Sequence, residues 1–271
     1  MPTIRPAAVA GSFYPAAAVA LRREIGELLG SIGTAAIAPV PKALIVPHAG
    51  YIYSGLIAAA GYRQLAPARK RITRVVLLGP SHFVGFHGLA ADSTVGWETP
   101  LGTVPIDRPV VERLIRAGLI GVLDTAHARE HSLEVQIPFL QAALSEFALV
   151  PIVADDAPLE AVAALLDALW AGRETLIVVS TDLSHYLDYR SCQETDRQTA
   201  DAIERLDPSA LGSESACGRV PLRGLLATAK RRGMSIARLD LRNSGDTAGP
   251  RGRVVGYGSW ALFEPVVGSP Q

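Results

Sequence analysis

Runs of Val, Ile and Leu recur along the chain, and Pro, Gly or Ser cuts each one off. ALIVPH ends at His48, VVLLGPSH at His82 and TLIVVSTDLSH at His185. An uninterrupted apolar run of this length reads as a strand buried on both faces, with the punctuation at its C-terminal edge. Between the runs, apolar residues recur at helical spacing. Leu21, Ile25, Leu28, Leu29 and Ile32 predict a helix ended by Gly30 and Gly33. Others are predicted from near Gly55, over 109–117 with Pro109 in the first turn, and over 133–145. Asp155, Asp156 and Pro158 introduce one more, whose buried face is Leu159, Val162, Leu166, Leu169 and Trp170. Two further helices fall at 190–206 and 221–232.

Strands are predicted at 42–47, 73–79, LVPIV and 174–180. ARLDL and VVGYGSWALF form a last pair, joined by the Gly-rich loop 242–253 with no helix between them. This alternation predicts one α/β domain spanning 1–271. Its central sheet would be mostly parallel, with helices on both faces and an antiparallel edge pair at the C-terminus. In such a sheet, ligands bind at the C-terminal edge of the strands. Three imidazoles ending three strands are therefore expected to meet in one crevice.

Composition narrows the class. The 271 residues are 49% hydrophobic, and 26 basic residues balance 26 acidic ones, so no nucleic-acid footprint is expected. Two cysteines are too few for a disulfide scaffold and suggest free thiols. The stretch Ala43–Tyr62 carries no formal charge, but Pro47, His48, Gly50, Ser54 and Gly55 interrupt it, so a membrane span is not expected. Residues 6–21 are also uncharged, yet they lack the leucine-rich centre of a signal peptide. A cytoplasmic protein without membrane association is the expectation.

Of six histidines, His48 and His82 stand where a strand stops and the chain bends, as ligands to a metal would. His87 and His127 read as surface or structural. His185 follows Asp182 by three residues, a spacing at which a carboxylate can orient an imidazole for proton transfer or ligation. The alternative is that Ser180, Thr181 or Asp182 caps a helix. Cys217 precedes a helix with Pro221 in its first turn and has Arg219 nearby, and both features favour thiolate, a metal ligand or nucleophile. Cys192 reads as structural. In EHSLE, the acidic residues suit a helix start, and a place in the crevice for Glu130 or His131 is the alternative. Phe13, Tyr14, Tyr51 and Tyr53 offer aromatic surface for core or pocket wall.

Taken together, AGSFYP, PHAGYIYSG, LGPSH, EHSLEVQIPFL, STDLSHY, CGRVPL and GYGSWAL resemble the Memo family, named for a mediator of cell motility. Its bacterial and archaeal members are labelled AmmeMemoRadiSam system protein B. The resemblance runs almost end to end. It implies a fold similar to the catalytic subunit of class III extradiol dioxygenases, in which two histidines and a glutamate hold non-haem iron and another histidine is the base.

Carried over by motif, the resemblance implies one transition-metal ion at His48, His82 and Cys217, with His185 and Asp182 as the catalytic pair. Phe13, Tyr53, Ser81, His131 and Arg219 would contact a substrate or partner. A sulfur ligand in place of the carboxylate softens the site, so iron or copper is expected ahead of zinc, and ring cleavage does not follow from the fold. A redox protein with a dioxygenase-like site is the leading expectation. A peptide-binding module and a zinc hydrolase are the alternatives. An unidentified small molecule or peptide is the expected ligand, animal relatives being linked to phosphotyrosine peptides. The bacterial label adds AMMECR-like and radical-SAM proteins as partners.

Overall fold

The computed structural model describes residues 3–33 and 39–265. The chain opens with β1 (Ile4–Arg5), α1 (Ala18–Ser31), β2 (Ala43–Val46), α2 (Tyr51–Arg63) and β3 (Arg74–Pro80). Three short strands follow: β4 (Gly88–Ala91), β5 (Gly96–Thr99) and β6 (Gly102–Pro105). Next come α3 (Arg108–Arg116), β7 (Gly121–Val122), α4 (Asp124–Ala128), α5 (Ile137–Ala143) and β8 (Ala148–Asp155). The last third holds α6 (Leu159–Leu169), β9 (Thr175–Ser180), β10 (His185–Leu187), α7 (Tyr189–Glu204), α8 (Arg219–Arg231), β11 (Ser235–Asn243) and β12 (Val254–Phe263).

The order β2-β9-β3-β8 forms the parallel centre of a nine-stranded sheet. Its strands are buried almost end to end, as their unbroken apolar runs require. Helices α1, α2 and α5 pack on one another, while α6 packs on α8, and α8 in turn on β3, β8 and β9. The sheet is thus covered on both faces. Burial of each Val, Leu or Ile side chain contributes about 1.5–3 kcal/mol, which is what holds these layers together.

The expected C-terminal pair is present: β11 runs antiparallel to β12. β12 also pairs antiparallel with β2 and with β10, so it lies inside the sheet. A second, three-stranded sheet, β1-β5-β6, was not anticipated. Strands of two to four residues are too short to show a period.

Two helix starts also differ from expectation. Residues 134–136 form a 3-10 turn ahead of α5, which begins with Pro138 in its first turn. Asp155 does not cap α6, because its carboxylate accepts the Phe86 amide at 2.9 Å. No helix in the described residues is long and apolar enough to cross a membrane.

Candidate metal centre

Strand register sets the site. Val46 of β2 is level with Ser180 of β9, and Leu78 of β3 is level with Val179. The residues just past the ends of these strands, His48, His82 and Asp182, therefore stand at one height on one edge. A fourth segment reaches the same edge because Gly79 has no side chain. A Cβ there would lie 2.8 Å from Leu133 Cδ2 and 2.9 Å from Ser132 Oγ. Ser132 Oγ donates to the Pro80 carbonyl at 2.9 Å, which seats residues 130–134 against the end of β3.

The result is a cluster of imidazoles. Coordinating atoms of His48, His82 and His131 all lie within 4.8 Å of one another, a group that can hold a metal ion. Ring centroids are 5.2 Å apart for His48 and His82, 5.4 Å for His48 and His131, and 4.6 Å for His82 and His131. Burial holds the His48 ring well below the usual imidazole range, with His82 and His131 adding repulsion. Burial and the adjacent His82 likewise hold His131 down, at about 4. Both rings are therefore neutral at pH 7, the form that ligates.

Glu130, fully buried, lies behind two of the rings. Its carboxylate accepts from the His82 amide at 2.6 Å, from His82 Nδ1 at 2.9 Å and from the Ser132 amide at 2.8 Å. Burial raises this carboxyl, but the hydrogen bonds from His82 and Ser132 outweigh it and leave it at about 2. Glu134, the other acid of EHSLE, is spent on structure. It accepts from Arg5 at 2.6 Å, from the Ala8 and Val9 amides and from the Tyr14 hydroxyl, pinning the N-terminal segment.

Asp182 accepts the His48 amide at 2.7 Å, and its second oxygen lies 3.9 Å from His48 Nε2. It caps no helix, since the chain passes directly into β10. Burial pushes its carboxyl up to about 7 against the hydrogen bonds that favour the ion. Its hydrogen bonds come from the His48 and Ala49 backbone rather than from His185. The His185 ring is lowered by burial and partly compensated by a hydrogen bond to the Leu183 backbone. His185 faces the same cavity.

Cys217 comes close because Gly218 follows it: a Cβ at Gly218 would lie 2.7 Å from the Ser180 carbonyl. Its sulfur is 3.2 Å from His48 Nε2 and accepts the Asp182 amide at 3.3 Å. In the metal-free chain, burial, reinforced by Asp182, pushes this thiol up, against hydrogen bonds from the Asp182 and Gly218 backbone and the Thr181 side chain that favour thiolate.

The cavity over the histidines measures about 440 Å³. Phe13 and Tyr53 are in its wall, with Tyr186, Arg253 and Tyr257 completing it. Phe13 packs on His131 at 4.6 Å between centroids. Ser81 is spent on a turn, donating to the Val84 carbonyl at 2.7 Å. Arg219 lines a neighbouring cavity of about 350 Å³ that also touches Cys217. Tyr14 and Tyr51 are core residues, and Tyr51 donates to the Val135 carbonyl. His127 is buried against the Ala90 carbonyl and Cys192 against Ser184 and Asp196, both structural.

Sequence reasoning gave His131 to ligand contact, offered Ser180 only as a helix cap and did not single out Gln136. A place in the crevice for Glu130 was readable only as an alternative to its role at a helix start.

A mostly parallel α/β sheet with an imidazole cluster at its C-terminal edge defines the class of protein, and comparison with known sequences gives the family. Residues 5–261 match the family described as Memo-like protein. A MEMO1 family protein of Aquifex aeolicus is 37% identical over 265 residues, covering 94% of this chain and 97% of that relative. Those of Sulfolobus acidocaldarius and Thermotoga maritima are each 36% identical, covering 94% and 96% of this chain and 97% and 99% of their own. The chain belongs to the Memo family.

Proposed function

We propose that this Memo-family chain binds one transition-metal ion, iron or copper, and works as a redox protein. The convergence of His48, His82 and His131 carries the reading. Imidazole donors suit iron, copper and zinc alike, and the Cys217 sulfur beside His48 adds a soft donor that favours copper or a thiolate-tuned iron. His48, His82 and His131 would hold the ion, with Cys217 available as a further ligand. When bound, such an ion supplies one-electron chemistry and Lewis acidity.

The protein's own groups would handle protons and ligand. Asp182, with a carboxyl near 7, exchanges a proton close to neutral pH. His185, a neutral ring in the cavity wall, accepts one from a bound molecule. A cavity of this size takes a small molecule or a single peptide side chain, with Phe13 and Tyr53 as apolar wall.

One observation favours a second reading. Three imidazoles with no carboxylate among them also make a zinc site of the hydrolytic kind. Anaerobic purification, elemental analysis and electron paramagnetic resonance separate the two. A paramagnetic iron or copper signal, with oxygen or electron-acceptor consumption lost in His48→Ala, supports the redox reading. Stoichiometric zinc with no such turnover rejects it.

A further inference from the structure

The rings of His48 and His82 are each tied through Nδ1 to a group whose hydrogen-bonding roles are already settled. Ser180 has one hydroxyl proton, and a 2.6 Å contact commits it to the Ser132 carbonyl. Gln136 Nε2 donates to the same hydroxyl at 2.8 Å. The orientation of that amide is fixed, since Nε2 also donates to the Pro47 carbonyl at 2.8 Å and Oε1 accepts from the Tyr62 hydroxyl at 2.9 Å. Having given its proton away, the Ser180 oxygen can meet His48 Nδ1 at 2.9 Å only as an acceptor. His48 Nδ1 thus carries the hydrogen, and Nε2 keeps its lone pair.

At His82 the partner is the Glu130 carboxylate, which can only accept. The two supports are one network. Ser132 donates its amide to Glu130 and offers its carbonyl to Ser180, so a single residue's backbone links what orients each ring. His131 stands apart: its Nδ1 is 3.5 Å from Glu130 Oε1, too long to fix a tautomer.

We infer that Glu130 and Ser180 are positioning residues that hold His82 and His48 in the Nδ1–H tautomer, presetting both Nε2 atoms as donors, while His131 adapts. The inference rests on the metal-binding reading for its purpose, but not for its test. A ligand whose outer nitrogen is hydrogen-bonded in this way is fixed in orientation and made more basic.

The test is long-range proton–nitrogen correlation spectroscopy on the nitrogen-labelled, metal-free full chain at pH 7.5. His48 and His82 are expected to be protonated at Nδ1, and His131 to show a mixture. Protonation at Nε2 in either His48 or His82 overturns the inference, and no variant is needed to see it. In Ser180→Ala and Glu130→Gln, the adjacent ring should lose its single tautomer, and zinc affinity in a chelator competition should fall about 10–100-fold. Circular dichroism confirms that each variant is folded. Unchanged affinity in both folded variants rejects the positioning role. If His48 and His82 of the wild-type chain are both protonated at Nδ1 yet the chain binds no zinc, iron or copper, the metal reading falls and the tautomer assignment stands.

Discussion

The sulfur of Cys217 sits 3.2 Å from Nε2 of His48. This pair decides how the site divides its work. The Cys217 sulfur stands against a nitrogen of the His48 ring, while His131 closes the cluster with His48 and His82. His131 is thus the third member of the cluster, and Cys217 is a softer donor within reach of His48. Cys217→Ser should keep cobalt(II) and zinc(II) binding within a few-fold while weakening copper(I) by roughly tenfold or more, because thiolate is the soft ligand. His131→Ala should do the reverse. Chelator competitions with each ion check this, and equal losses for all ions in Cys217→Ser would make the sulfur an obligatory ligand.

Asp182 sets a pH dependence whose sign can be stated. Burial raises its carboxyl from 3.8 to about 7 in the folded protein. The folded state then holds a proton that the unfolded state has lost, so this group's contribution to stability falls as pH rises from about 4 to 7. Asp182→Asn does not titrate and keeps an oxygen for the His48 amide. In metal-free protein, the variant should gain on the wild type by roughly 3 kcal/mol between pH 4 and pH 8. Denaturant melts at the two pH values measure it, and a difference independent of pH would contradict the assignment.

Much of this was legible in the sequence. Unbroken apolar runs gave the parallel strands, and their punctuation placed His48 and His82 at the correct edge. What the runs could not show was which loop would fold over them. EHSLE precedes a helix and carries two acids, and its sequence offered Glu130 a place in the crevice only as the alternative to a helix start, without showing that Glu130 supports His82 while Glu134 anchors Arg5. That difference is made by contacts more than forty residues away in sequence. The pairing of Asp182 with His185 was likewise inferred from spacing, whereas the register of β2 against β9 sets Asp182 beside His48. Cys217 was read from a helix start, which could not show that its sulfur packs against His48.

Two glycines give the site its close approaches, and they should differ in tolerance. A Cβ at Gly218 would meet Thr181 Cβ at 2.6 Å and the Ser180 carbonyl at 2.7 Å, and backbone there cannot yield cheaply. At Gly79 the nearest atoms belong to the side chains of Leu133 and Ser132, which can rotate. Gly218→Ala should cost about 2–3 kcal/mol and Gly79→Ala about 1 kcal/mol. Chemical denaturation of both variants tests the order, and the reverse ranking would contradict the packing described.

Equilibrium dialysis of the metal-free full chain against iron(II), copper(I) and zinc(II), with the folded His48→Ala and His82→Ala variants in parallel, tests the metal centre most directly. About one ion per wild-type chain is expected for at least one of these metals, with occupancy lost in both variants. A wild-type chain that takes up none of them, or variants that bind as fully as the wild type, would contradict it.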